Sequence, residues 1–428
     1  MTGESDKHVL IIPSEPFLPE QNHLLGIFQY HQAKALRKNG WRVGVLSVSL
    51  AYTLPMFARA LLMRIVGKRV GNTLDARSAA GIIRLCGRRL FRPAAFVGVT
   101  SVDDFPVVRT EGFYYLRPSP LTDNLGWIRA GIVGFEEYRR RFGSPGVIHA
   151  HNLNPAGLLA QRLAKDFGIP YVVTEHSTFY RRGLIPLAIH PALRRAAENA
   201  SVVAGVSTAL NDTLRKTLSL GNMPLRVIGN VLAPGFATAL PLRPESSDFT
   251  FLSIGNLIPV KGQSTLLDAF ADAFGGNSKV CLRIGGDGDL LASLKERASA
   301  LGIASQVVFL GRLSPQRVVD EVDNCDSFVL PSYVETFGVV VIEALARGKP
   351  VIATRCGGPE SIVSEDDGVL VPAGDAVALS AALNTMKEER SRFDSDRIRQ
   401  RAIARFGDDE IGRQLVNMYA DAMHIGES

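Results

Sequence analysis

Short runs of apolar residues recur along the chain, and between them apolar positions repeat at helical spacing. The runs HVLIIP (8–13), WRVGVLSV (41–48), GVIHAH (146–151), YVVTEH (171–176), SVVAGVS (201–207) and LRVIGN (225–230) predict a first set of strands. After a break, DFTFLSIG (248–255), KVCLRIGG (279–286), QVVFLG (306–311), SFVLPS (327–332), PVIAT (350–354) and GVLVP (368–372) predict a second set. Many are continuous rather than alternating, the pattern of parallel strands buried on both faces. Segments such as YHQAKALRKNG (30–40), GLLAQRLAKDFG (157–168) and STLLDAFADAFGG (264–276) predict the helices between them. Alternation of strand and helix implies parallel sheets joined by right-handed crossovers. The stretch 232–248, rich in Pro, Ser and Ala, separates two doubly wound α/β domains, residues 1–235 and 236–405. A tail, 406–428, has helical period over 408–424.

Composition adds exclusions. The chain has 428 residues, 46% hydrophobic and 21% charged, which excludes a disordered chain, a collagen-like repeat and a coiled coil. Four cysteines (Cys86, Cys281, Cys325, Cys356) without a CxxC pair exclude a disulfide scaffold and fit free thiols in a reducing compartment. No apolar run reaches the ~18 residues of a membrane span. The start, MTGESDKHVLIIPSEP, lacks the pattern of a signal peptide, so a cytoplasmic protein is expected.

Charge is uneven. The net charge is +6, but residues 1–240 carry +14 and residues 241–428 carry −8. Residues 51–100 hold nine basic residues against the single acid Asp75. In AYTLPMFARALLMRIVGKRV, Arg59, Arg64, Lys68 and Arg69 interrupt an apolar run. Such a stretch fits an anionic membrane surface; the alternative is a solvated helix face beside a core face. Nucleic acid is not expected as a partner, because the patch has few interleaved aromatics and no zinc-finger or RNP-like pattern.

In open α/β sheets, ligands bind beyond the carboxyl ends of the strands. His151, His176, Ser207, Asn256, Gly285–Asp287, Arg312 and Glu335 all sit there, which points the strand ends of both domains at one cleft. In GNLIPVKG (255–262) a strand, a loop with Lys261 and Gly262, and a helix start could hold a diphosphate. It is not a Walker A loop. In PSYVETFGVVVIEALARGKPV (331–351), a helix is expected from about Val339 to Ala346, with Glu335 before it and Glu343 in its second turn. Their spacing gives them separate jobs, unlike the facing pair of a glycoside hydrolase. The N–H groups of Gly338, Val339 and Val340 would add a second anion site at the helix start. IGGDGDL (284–290) offers a turn close to a ligand, and its DxD reads only weakly as a metal site. His149 and His151 share a strand face. Gly26 precedes a helix where a phosphate or an acceptor could meet backbone N–H groups.

Together GIFQYHQAKALRKNGWRV, VIHAHN, GNLIPVKG, GGDGD, VVFLGRL, the Glu335–Glu343 pair, GKPVIAT and GGPE resemble the retaining glycosyltransferases of family 4 in order and spacing. The resemblance runs from Gly26 to at least Glu360 and is strongest in the second half. It implies the GT-B fold, two Rossmann-like domains facing a central cleft, with a C-terminal helix crossing back to the first. It implies transfer of a sugar from a nucleoside-diphosphate sugar to a hydroxyl, retaining configuration, without a metal or other cofactor. By the same resemblance, Glu335 lies beside the donor sugar and is catalytic, and His151 reaches that sugar from the first domain. Lys261 meets the diphosphate, Glu343 the ribose, and Gly26 the phosphate. Thr336, Phe337, Gly338 and Val339 hold sugar hydroxyls and phosphate through their backbone. Arg312 lies by the base, Gly286 and Asn256 belong to the donor site, and His176 is an acceptor-side candidate. Two departures stand out. Asn256 occupies a position where many members carry Arg, and the N-terminal loop has one Gly where many have two. The acceptor is expected to be a glycan or lipid-linked glycan, on the inner face of a membrane if the basic stretch docks there. The rivals are an epimerase or hydrolase of the same fold and a non-catalytic nucleotide-sugar or membrane-surface binding protein.

Overall fold

The structure, a computed structural model, describes residues 7–19, 26–51, 96–114, 119–241 and 248–425. Cys86 and the basic residues Arg59, Arg64, Lys68 and Arg69 lie outside the described residues, as does Asp75.

The first sheet contains β1 (His8–Pro13), β2 (Arg42–Ala51), β3 (Phe96–Val102), β4 (Phe105–Phe113), β5 (Val147–His151), β6 (Tyr171–Glu175), β7 (Val202–Gly205) and β8 (Arg226–Val227), in the order β3-β4-β2-β1-β5-β6-β7-β8. The second contains β9 (Phe249–Ile254), β10 (Val280–Gly285), β11 (Val307–Gly311), β12 (Ser327–Leu330), β13 (Val351–Arg355) and β14 (Gly368–Pro372), in the order β11-β10-β9-β12-β13-β14. The fold is GT-B: two doubly wound α/β domains with their strand ends at a shared cleft. The strand order reverses beside β1 and beside β9, and a crevice opens at each such reversal.

One expectation is corrected. The first sheet is not wholly parallel, because β3 pairs antiparallel with β4. The two-residue turn Asp103-Asp104 has positive φ at both positions (42° and 67°), the conformation that matches the twist of a tight hairpin.

The helices of the first domain are α1 (Ile27–Lys38), α2 (Pro120–Phe142), α3 (Leu158–Phe167), α4 (His190–Glu198) and α5 (Thr208–Leu218). A short helix, α6 (Pro234–Ala237), leads into the second domain, which holds α7 (Gln263–Phe274), α8 (Leu291–Ala300), α9 (Pro315–Asn324), α10 (Val339–Ala346), α11 (Ala376–Glu388) and α12 (Ser395–Phe406). The last helix, α13 (Asp408–Ile425), returns to the first domain. Its buried residues Ile411, Leu415, Met418, Tyr419 and Ala422 form one apolar stripe at helical spacing. That stripe shares a core with Val9 and Ile11 of β1 and Leu36 of α1. The Tyr419 ring packs edge-on against Trp41, 5.0 Å between centroids, and its hydroxyl bonds Nδ1 of His149 at 2.7 Å. Among the described residues, no helix is long and apolar enough to cross a membrane.

Candidate active site

In the second domain the chain leaves β9 into a loop that ends in a short 3-10 turn, Pro259–Lys261. Gly262 closes that turn with φ +71° and lies so near β12 that a Cβ would sit 2.0 Å from the Pro331 carbonyl oxygen. Glycine therefore lets α7 start against the end of β12. The same approach brings Lys261 to the segment after β12. Its Nζ donates to Glu335 Oε1 at 2.5 Å, and the two side chains are 23% and 11% exposed. The pair borders the cleft and is only partly screened by water.

A second glycine loop braces the first. Gly286 has φ +130°, and a Cβ there would meet the Gly255 oxygen at 1.9 Å. Leu257 N donates to Asp287 O at 2.9 Å, and Gly286 N donates to Gly311 O at 2.8 Å. These contacts tie the loop of Asn256 to the loop that begins at Arg312. Asn256 and Arg312 are themselves exposed. Asp287 closes its own turn by accepting from Gly288 N at 2.8 Å. Among the described residues, no group of three or more His, Cys, Asp or Glu side chains is gathered to hold a metal ion.

Glu335 is held by its backbone. Its N–H donates to Cys356 O at 3.1 Å, and its own carbonyl accepts from Gly358 N at 3.0 Å. Thr336 and Phe337 engage their side chains within the protein. The Thr336 hydroxyl donates to His176 O in the other domain at 2.9 Å. The Phe337 ring is buried against Phe406. Gly338, φ +101°, then opens α10 with Val339. Glu343 is in the second turn of that helix, and burial pushes its carboxyl up to about 8.

In the first domain the histidines stand at the ends of β5 and β6. His149 is fully bonded, to Tyr419 and to Thr174 Oγ1 at 2.8 Å, so its role is packing and register. His151 is buried, and its Nδ1 lies 3.0 Å from Nε2 of His176. Phe28, two residues past Gly26, stacks on the His176 ring with planes 7° apart. Gly26 itself, φ +77°, does not leave its N–H open; it donates to Glu15 Oε1 at 3.3 Å.

The group the sequence did not single out is Glu175. It is fully buried, yet it accepts backbone N–H bonds from Leu153 (2.9 Å), His176 (3.2 Å) and Ser177 (2.9 Å). Burial pushes its carboxyl up to about 7, against the pull of those three donors. One side chain thus pins the two turns that carry His151 and His176. Asn152, φ +70°, adds a second tie, its Oδ1 accepting from His176 N at 2.9 Å. Arg181 was also not foreseen. It crosses the cleft to donate to Cys356 O, on the turn that pairs with Glu335. With the Thr336 bond, it sets the His151–His176 pair next to the Glu335 loop.

Two family models match the chain. "Glycosyltransferase Family 4" matches residues 99–234 and "Glycosyl transferases group 1" matches residues 241–405. A D-inositol 3-phosphate glycosyltransferase of Rhodococcus jostii is 32% identical over 295 residues, 62% of this chain and 63% of that one. The chain thus spans just under two thirds of the length of the first curated relatives it matches. The enzyme of the same name from Rhodococcus erythropolis is 32% identical over 327 residues, 68% of this chain and 72% of that one. Among solved structures, sucrose-phosphate synthase from Thermosynechococcus elongatus superposes with a TM-score of 0.70 at 20% identity, covering 98% of this chain and 100% of the other. Anabaena HepE in complex with UDP gives 0.67 at 18% identity, covering 96% and 99%.

Proposed function

The chain belongs to glycosyltransferase family 4, and from that premise we propose that it moves a sugar from a nucleoside-diphosphate sugar to an acceptor hydroxyl with retention of configuration, in polysaccharide or glycolipid synthesis. The observation that carries this reading is the Lys261–Glu335 pair, 2.5 Å apart, held beside the histidine pair of the facing domain. An ammonium and a carboxylate at the ends of adjacent strands suit the two charges that separate when a glycosyl–phosphate bond breaks. That bond, from the anomeric carbon to the β-phosphate oxygen, leaves negative charge on the diphosphate and an oxocarbenium-like sugar. Lys261 and the first N–H groups of α10 stabilise the diphosphate, and Glu335 stabilises the sugar. The acceptor oxygen bonds to the anomeric carbon from the face the diphosphate leaves, and its proton passes to a diphosphate oxygen. The reading assigns charge neutralisation to Lys261 and helix N–H groups, so it calls on no metal. Asn256 cannot supply the charge of an Arg, which leaves Lys261 as the cation of this loop.

HepE, a structural neighbour, is seen with UDP, which supports uridine as the first base to test. The excess of +14 over residues 1–240 supports an acceptor presented at an anionic membrane. The test is nucleoside diphosphate release from uridine, guanosine and adenosine diphosphate sugars. Each would be run with and without anionic vesicles carrying lipid-linked glycans. Release that requires acceptor supports transfer. Donor conversion without acceptor would move the assignment to an epimerase or hydrolase, and binding without turnover to a binding protein.

Glu343 gives this reading a pH signature. A ribose diol donates to the ionised carboxylate and so pulls the raised value back down. Nucleotide binding below pH 8 is therefore expected to release up to one proton, and affinity to rise with pH and level off above about 8. Calorimetry in two buffers of different ionisation enthalpy reads this directly. Glu343→Gln should abolish the release; equal heats in both buffers for the unaltered protein would contradict the ribose assignment.

A further inference from the structure

The rim of the first domain carries an exposed apolar surface. Helices that join parallel strands run back along the sheet, so α2, α3 and α4 begin on the cleft side. There Leu121, Leu125 and Ile128 repeat at i, i+4 and i+7 on α2, and the first two are half exposed. With Leu158 of α3, and with Ile189 and Ala192, they line an open cavity of about 840 Å³. The loop after β6 extends this surface. Its turn Leu187–Ile189 packs against α2. Phe179 and Leu184, tied by a bond from Leu184 N to Phe179 O at 2.9 Å, are half exposed, and Leu187 is 80% exposed. A cluster of large apolar side chains on a surface marks a contact with something else. The same loop reaches the cleft, where Arg181 donates to Cys356 O of the second domain.

Charge selects the occupant. Residues 176–197 hold Arg181, Arg182, Arg194 and Arg195 and no acid, and Arg182 and Arg195 are exposed. Apolar side chains flanked by arginine suit a partner that is apolar inside and anionic at its surface. A second copy seated by a two-fold axis would set these arginines against themselves. We propose that this rim docks on an anionic lipid bilayer. Phe179, Leu184 and Leu187 enter the interface, the cavity takes lipid chains, and Arg182 and Arg195 meet headgroup phosphates. The surface is separate in sequence from the basic stretch that holds Arg59 and Arg69. Docked this way, the cleft opens at the membrane plane, where a lipid-linked acceptor would present its hydroxyl. That consequence rests on the transferase reading; the docking does not.

The test is co-sedimentation of the full chain with vesicles of phosphatidylcholine, with and without phosphatidylglycerol. Binding is expected only to the anionic vesicles and should fall with salt. Leu184→Ser with Leu187→Ser should weaken it at least about tenfold. Arg182→Gln with Arg195→Gln should weaken it about thirtyfold. All four side chains are exposed, so the fold should hold in both variants. Val377→Ser, an exposed apolar position in the second domain, is the control and should change nothing. Leu187→Trp locates the contact. Brominated phosphatidylglycerol should quench the added indole, whereas the natural Trp41 and Trp127 are buried. Three results overturn the proposal: no binding to anionic vesicles, binding that both double variants leave unchanged, and no quenching in Leu187→Trp. Self-association lost in the leucine variant, with no vesicle binding, would give this face to a second copy instead. Vesicle binding needs no sugar donor, so a failed donor panel leaves it standing. Failed docking would leave turnover on a water-soluble acceptor intact, so the two failures are separable.

Discussion

Glu335→Gln is expected to lower turnover by about a hundred- to a thousandfold while nucleotide binding stays within a few-fold of normal. The reason lies in what the carboxylate faces. Its backbone is fixed on both sides, by Cys356 O and Gly358 N, so the amide takes the same place with the same volume. What changes is charge: Lys261 faces a neutral amide oxygen instead of a carboxylate, and the sugar loses the anion that offsets its developing charge. The nucleotide is held elsewhere, at Glu343 and the α10 N-terminus, so binding should survive. Steady-state rates and nucleotide titration on the same preparation separate the two. A variant that turns over normally would remove Glu335 from the chemistry. A variant that loses binding and turnover together would make it a donor anchor instead.

Gly262→Ala is expected to destabilise the second domain by about 3 kcal/mol and to weaken nucleotide diphosphate binding at least tenfold. Two causes act there. The backbone is left-handed, φ +71°, which disfavours any side chain. The new methyl would also overlap the Pro331 carbonyl, 2.0 Å away, which is backbone and cannot rotate aside. Relief requires α7 and β12 to part, and that displaces Lys261 from Glu335. Gly276→Ala is the control, since Gly276 has φ +81° with nothing within 4 Å of its Cβ. It should lose only the backbone contribution, about 1–2 kcal/mol, and leave nucleotide binding intact. Thermal melts and nucleotide titrations of both variants decide it. Equal losses in the two would show that the contact with Pro331 carries no energy.

Much of the second domain could be read from the chain because its chemistry and its strands coincide. Lys261 and Glu335 lie in the loops after β9 and β12, and Glu343 follows the apolar start of α10, so apolar runs and candidate residues announce one another. The helix Val339–Ala346 has the same bounds in sequence and structure. The first domain hid more. Helix α2 contains Gly126, Gly131 and Gly134, each costing a helix about 1 kcal/mol, and so it lacks a strong local signal. The glycines serve packing instead: a Cβ at Gly131 would meet Leu159 at 2.3 Å, and one at Gly134 would meet Thr110 at 2.5 Å. The β3–β4 hairpin turns on two aspartates rather than the usual Asn-Gly or Asp-Gly. The predicted strand 225–230 shrinks to Arg226–Val227, an edge pairing on one side only. Glu175 was invisible for a different reason. At the end of an apolar strand it looks like a solvated carboxylate, and its partner Leu153 lies 22 residues away in sequence. Only the folded turn shows that it points inward.

The return of α13 to the first domain orders events during synthesis. The strands of the first sheet end at Val227, but the stripe that covers one of its faces begins at Ile411. Between them the ribosome must make the whole second domain. At about 5–20 residues per second, that leaves Trp41, Val9 and the His149 ring without their cover for roughly 10–40 s. The nascent first domain therefore exposes an apolar face until a segment made after the second domain covers it. A chain that stops before Ile411 would leave that face uncovered.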